Sequence, residues 1–355
     1  GLFISGIIGD RLNMRLVLTF GMCSSAITMF VFGTLTEWLR FYNKVFYCLV
    51  WILNGLLQST GWPCVVAVMG NWFGKSGRGF VFGLWSACAS VGNILGAFLA
   101  SSVLQYGYEN IIFVSGVCVY IMENVIFFLF FRHLEACILL QNWNYINIRP
   151  YLESLGCPEK NDILFSWLAT SPIKHHVFFS SAQYSLAYAC LKLVNYSFFF
   201  WLPFYLSNNF KWKEAEADQL SIWYDIGGII GGTVQGLISD LMKMRSPVLT
   251  VSLLCAVGSL FGYSHSPNDK VINAFIMSVT GFPAGFFVGG PSNMISSAIS
   301  ADLGRQEMVR GSSEALATVT GIVDGTGSIG AALGQTLVSL IQNALSWMWV
   351  FYFFI

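Results

Sequence analysis

One lysine stands alone inside a long apolar run. Residues Val177–Asn209 carry a single charged side chain, Lys192. A lysine at mid-span costs about 2.5–3.5 kcal/mol to insert into a bilayer, so such a residue normally faces a cavity or a carboxylate. Its ammonium group donates three hydrogen bonds, which suits the oxygens of a phosphate monoester with up to about two negative charges. The same lysine can instead pair with Asp225 or Asp324 and hold helices together. Both readings stand on the residues alone.

The other charges inside apolar runs are acidic: Asp225, Asp324 and Glu123. A carboxylate facing an anionic cargo repels it unless protonated or paired. Asp324 and Asp225 are therefore read as ion-pair or proton-coupling residues, and Glu123 as a group near the lipid headgroups. Asn195, Tyr188, Tyr224, Asn93 and Asn293, with Tyr196 beside them, are the uncharged side chains suited to hydrogen-bond a cargo. Trp62 and Trp85 read as packing.

Other chemistries find no support. The nine cysteines lie mostly within apolar runs, and no Cys-x-x-Cys or Cys/His spacing occurs. The adjacent pair His175 and His176 faces two directions on any regular element, so no metal site is expected. No Ser/His/Asp or Cys/His set sits at workable positions, and no glycine loop follows a strand to cradle a phosphate. Neither an enzyme nor a bound cofactor is expected.

The elements that must position these residues are membrane helices. The chain has 355 residues, 55% hydrophobic and 10% charged, with zero formal net charge and mean hydropathy +0.64. Soluble domains carry about 25% charged residues; this chain cannot cover itself with polar surface, and lipid is its solvent. A balanced charge without a basic stripe excludes a nucleic-acid partner. Spanning the hydrocarbon core takes about 20 apolar residues. Leu16–Thr36, Val45–Gly74, Gly79–Tyr108, Asn110–Phe131, Val177–Asn209, Gln219–Ser239, Ser246–Ser264, Val271–Ala301 and Ala315–Val350 meet that need, nine spans in all. Fragments of two more stand at Gly1–Ile8 and Trp349–Ile355.

Lysine and arginine in the connections set the orientation. Arg11, Arg15, Lys75, Arg78, Lys243, Arg245, Arg305 and Arg310, with Arg132, Arg149, Lys160 and Lys174 of the central segment, total twelve on one side. Five lie on the other: Arg40, Lys44, Lys211, Lys213 and Lys270. The first set is expected in the cytosol.

A repeat spans the two halves. Gly6, Asp10 and Arg15 recur 230 residues later as Gly236, Asp240 and Arg245, each set where a span ends in a short loop. Glycine there lets two helices approach, aspartate sits near a helix terminus, and arginine anchors the cytosolic face. Gly6, Asp10, Arg11 and Arg15, with Gly236, Asp240 and Arg245, are read as a conformational latch. The runs Gly227–Gly232 and Gly92/Gly96 read as helix-packing faces. Between the halves, His133–Ser181 is mixed polar and apolar, with Pro150, Pro158 and Pro172, and reads as a linker.

The pattern of Gly6, Asp10, Arg11 and Arg15 resembles the loop signature of the major facilitator superfamily. Gly61-Trp62-Pro63, Trp72-Phe73, Arg78-Gly79 and Trp85 through Asn93 are similar to the organophosphate:phosphate antiporter family. Asp225–Gly232 and Asp324–Gly334 resemble its eukaryotic sugar phosphate exchangers, and Ser300–Glu307 and Ser313–Gly321 look most like one vertebrate branch of these. The resemblance covers residues 1–131 and 185–355. It implies an all-α polytopic membrane protein of two six-helix bundles, twelve helices with helix 1 absent and helices 2 and 12 partial. The expected division is 1–131 for the N-terminal bundle, 132–181 for a cytosolic linker and 182–355 for the C-terminal bundle.

The resemblance further implies exchange of a sugar phosphate or similar small organophosphate for inorganic phosphate. The setting would be an intracellular membrane, the endoplasmic reticulum first and the lysosomal membrane second. The alternatives are a facilitator or proton-coupled carrier of another phosphate- or phosphonate-bearing anion, and a non-transporting membrane scaffold. An accessory membrane subunit is compatible with the sequence but not readable from it. The chain departs from the bacterial pattern at Ala89, where those members carry histidine. It departs again at Asn195, where they carry a base; Lys192 lies three residues away, nearly one helical turn. Their helix 1 base has no counterpart in this sequence.

Overall fold

A computed structural model describes residues 1–12, 14–73, 77–103, 172–265, 270–304 and 316–355. Every regular element among these residues is helical. Glu123, most of the segment read as linker, and the Arg305 and Arg310 loop lie outside the described residues. So do the side chains of Arg11, Arg15 and Asn93, although their backbone is helical.

The helices are α1 (Leu2–Arg11), α2 (Met14–Phe30, continued by Val31–Leu35 and Thr36–Trp38), α3 (Lys44–Gln58), α4 (Gly61–Trp72) and α5 (Arg78–Val103). Then come α6 (Pro172–Phe210), α7 (Glu214–Met242) and α8 (Ser246–Ser264). Last are α9 (Lys270–Met294, continued by Ile295–Ile299 and Ser300–Leu303), α10 (Leu316–Ala344) and α11 (Trp347–Phe354). Among the described residues five segments are long and apolar enough to cross a membrane: Leu16–Trp38, Lys44–Gly70, Ala182–Phe210, Ser246–Ser264 and Leu316–Ala344.

Helix ends follow local chemistry. Asn43 precedes α3 in an extended conformation and its side chain accepts from the Val45 and Phe46 amides, which satisfies donors the first turn leaves open. Pro247 sits at the start of α8, where its missing N–H costs nothing. Lys243 ends α7 in the left-handed region at φ 56°. The apolar run Ala315–Val350 is two elements: α10 ends at Ala344, and α11 starts at Trp347, earlier than the Trp349 expected. Ser346 is extended there, a break that hydropathy alone does not register. The described helix α6 begins at Pro172, inside the segment read as linker.

The contacts divide the chain into two compact units. The first holds Gly1–Met14, Trp62–Leu99 and Val177–Ile355. Its tightest crossings are made by glycines that bring backbones together. A Cβ on Gly6 would fall 2.6 Å from the Ala317 carbonyl oxygen, and one on Gly321 2.5 Å from that of Leu2, so α1 and α10 cross antiparallel. A Cβ on Gly236 would collide with Gly79, and one on Gly83 with Gly232, so α5 and α7 cross in the same manner. The glycine run of α7 packs along α9 through Gly227, Gly228 and Gly231. Among the described residues nothing lies within 4 Å of a Cβ placed on Gly92.

The second unit holds Arg15–Gly61 and Ala100–His176. Here α2 and α3 are tied by Asn54, whose side-chain oxygen accepts from Ser25 Oγ at 2.8 Å and Thr28 Oγ1 at 2.9 Å. Gln58 Nε2 donates to Ser25 Oγ at 3.1 Å. Polar side chains buried between apolar helices bond across the crossing because water is absent there.

Candidate functional site

Lys192 lies on the face of α6 that meets α10, with 6% of its surface exposed. Its Nζ stands 2.7 Å from Asp324 Oδ1 and donates to Ser328 Oγ at 3.2 Å. The rings of Tyr188 and Tyr196 flank the ammonium at 5.3 and 5.2 Å, within cation–π range. The Tyr188 hydroxyl donates to the same Asp324 oxygen at 3.2 Å. Helical spacing explains the cluster: Tyr188, Lys192 and Tyr196 lie four residues apart along α6, as Asp324 and Ser328 do along α10, so each set shares one face. A Cβ on Gly327 would strike the Tyr188 ring; the glycine leaves room for that ring between the helices.

A second polar group begins one turn further along α6. Tyr224 donates to Asn195 Oδ1 at 2.7 Å, and Asn195 Nδ2 donates to Ser292 Oγ at 3.4 Å. The Tyr224 ring stacks on Phe198 at 5.3 Å with 14° between planes. The Asn293 side chain lies against α7, 3.3 Å from a Cβ placed on Gly232, and is not brought to Lys192. Asp225 is half-buried and, among the described residues, makes no ion pair.

The repeated loop residues form two matching joints. Asp10 accepts from the amides of Ala317 at 3.0 Å and Thr318 at 2.6 Å, at the start of α10. Asp240 accepts from the amides of Gly79 at 3.0 Å and Phe80 at 2.8 Å, at the start of α5. Each carboxylate thus sits on the positive end of the helix that its glycine lets approach. Arg245 binds Asp240 at 2.7 Å and Ser239 at 2.6 Å, and its Nε lies 3.1 Å from Asp302. Arg78, 1% exposed, binds the other Asp302 oxygen at 2.6 Å. It also donates to the Phe73 carbonyl at 3.3 Å.

Sequence reasoning missed Ser328, Ser292 and the Arg78–Asp302 pair. Ser328 had a signal, four residues after Asp324 on a helix. Ser292 and Asp302 had none, because their partners lie far off in the chain. Trp62, read as packing, also donates its Nε1 to the Ser296 carbonyl at 3.3 Å. That carbonyl lies in the π-helical turn Ile295–Ile299 of α9.

The Major Facilitator Superfamily profile matches residues 1–313. The chain is similar to Sugar phosphate exchanger 3 of Xenopus laevis, 73% identical over 372 residues, with all of this chain and 73% of the relative covered. It is also similar to Glucose-6-phosphate exchanger SLC37A2 of Danio rerio, 38% identical over 368 residues, with all of this chain and 73% of that one covered. Among solved structures, a bacterial homologue of the iron transporter ferroportin superposes with TM-score 0.62 at 14% identity, covering 99% of this chain and 82% of that one; at that identity the likeness concerns the fold alone. The chain is a multi-pass membrane protein, not an enzyme, and belongs to the major facilitator superfamily, within the organophosphate:phosphate antiporter family that holds the sugar phosphate exchangers.

Proposed function

We propose that the protein exchanges a sugar phosphate, or a similar small organophosphate, for inorganic phosphate by alternating access, with Lys192 as the base that binds the phosphoryl group. One observation carries this reading: a buried ammonium group inside a membrane helix, ringed by hydrogen-bonding side chains and held by a carboxylate that can exchange it for another anion. The names of the relatives support the cargo class. Asn195, one turn along the helix from Lys192, and its partners Tyr224 and Ser292 are suited to the hydroxyls of a sugar. Asp225, Asn93 and Asn293 are proposed to line the path beyond this group.

The joints at Asp10 and Asp240 serve as the latch that holds one conformation, with Arg245, Arg78 and Asp302 joined to the second. The domain reading places bundles at 1–131 and 182–355, joined by a cytosolic linker at 132–181. The home membrane is proposed to be intracellular, the endoplasmic reticulum before the lysosome, which immunolocalisation checks.

The test is transport by the purified protein in liposomes at equal pH on both sides. Internal phosphate is expected to accelerate uptake of a sugar phosphate at least about tenfold, and Lys192→Gln to abolish that acceleration. Uptake indifferent to internal phosphate would establish a facilitator instead. No uptake of any member of a sugar phosphate panel would favour the scaffold reading.

A further inference from the structure

Lys192 and Asp324 balance each other in charge. Lys192 and Asp324 are each 6% exposed and lie 2.7 Å apart, one positive and one negative. The groups that face the Asp324 carboxylate are few. From α6 come the Lys192 ammonium and the Tyr188 hydroxyl. On α10 itself Ser328 shares the ammonium. From α1 the Phe3 ring lies opposite Gly325, the next residue. Among the described residues no second cation reaches Asp324.

Adding an anion to this site upsets the balance. A phosphate monoanion drawn to Lys192 leaves two negative charges against one positive, in surroundings that penalise an uncompensated charge heavily. One proton on Asp324 restores neutrality: ammonium, carboxylic acid and phosphate monoanion sum to zero. The N–H donors released by Asp324 then pass to phosphate oxygens, so no donor is stranded. A lone buried lysine would leave the empty carrier with a naked charge that resists reorientation; here the pair removes that obstacle.

We propose that Asp324 takes up one proton as the phosphate group binds Lys192, giving the protein a second mode, net electroneutral symport of a proton with a phosphate monoanion, beside exchange. The inference rests on Lys192 as the phosphate base. On loading, a proton from the aqueous phase goes to Asp324, and the Lys192–Asp324 contact gives way to Lys192–phosphate. On release, both proton and anion leave on the far side, and the ion pair re-forms for the empty return. During exchange each leg carries one proton, so proton movements cancel. The two modes are therefore separable.

The test uses the purified protein in liposomes with radiolabelled inorganic phosphate as probe. Without internal phosphate, an inward proton gradient is expected to drive net uptake, while a potassium-diffusion potential set with valinomycin leaves that uptake unchanged. Net uptake driven by the potential, or uptake that requires internal phosphate under every gradient, would overturn this inference; the second result would leave the exchange reading standing. No uptake even with internal phosphate would remove both. A second measurement uses Asp324→Asn. In the parent, linkage to one proton moves the half-saturation for phosphate by up to about tenfold per pH unit, tighter at lower pH. The ratio of parent to variant cancels the ionisation of phosphate itself, so the variant is expected to lack this extra slope. A variant that keeps the parent's slope would also overturn the inference.

Discussion

Neutralising Lys192 and Asp324 singly and together separates what the pair does for the fold from what the lysine does for cargo. Lys192→Gln leaves Asp324 buried without its cation, a loss of about 3–5 kcal/mol when one partner of a buried pair is removed. Asp324→Asn leaves the ammonium stranded at similar cost. The double variant places two neutral amides where an ion pair stood. It recovers the stranded-charge term, so the coupling between the two changes must exceed the loss in either single variant, about 3–5 kcal/mol. What stays lost is the ammonium's attraction to the Tyr188 and Tyr196 rings, 5.3 and 5.2 Å away, about 0.5–2 kcal/mol each. The assay is an unfolding titration in mixed micelles for all four proteins, followed by phosphate exchange for those that remain folded. The double variant should be more stable than either single one yet fail to exchange phosphate. Additive destabilisation would refute the pairing argument, and exchange at the parent rate would refute Lys192 as the phosphate base.

Two further predictions concern the frame around the site. Gly236→Val, where a Cβ already meets the Gly79 backbone, should sharply lower folded yield, whereas Gly55→Ala, with nothing within 4 Å of a Cβ, should be neutral or gain up to about 1 kcal/mol from helix propensity; retention in size-exclusion chromatography checks both. Asp240→Asn weakens the bonds to the Gly79 and Phe80 amides and the Arg245 pair. A loss of about 1–2 kcal/mol shifts the latched population by roughly 5–30-fold, read as faster alkylation of a cysteine placed at Trp62.

The position of most helices was legible because a bilayer leaves the backbone no alternative: an apolar run of sufficient length must satisfy its hydrogen bonds internally. Ser246–Ser264 matches its apolar run end to end. The internal repeat was equally plain, since Gly6/Asp10 and Gly236/Asp240 keep their spacing. Where hydropathy has no contrast, boundaries slipped, as between α10 and α11, where Ser346 interrupts an otherwise apolar stretch.

Within the site, composition alone singled out Lys192, because a charge in lipid has to have a reason, and it named both Asp324 and Asp225 as candidates for its partner. Only the packing of α6 on α10 distinguished them, placing Asp324 at 2.7 Å. Partners such as Ser292 for Asn195 and Asp302 for Arg78 and Arg245 lie 97, 224 and 57 residues apart in sequence, and no periodicity links residues on different helices. The amino-acid sequence by itself determined the solvent, the helices and the rare charges that lipid makes conspicuous. The tertiary structure decided which of those charges meet, because that depends on helix rotation and on which glycines let which backbones touch.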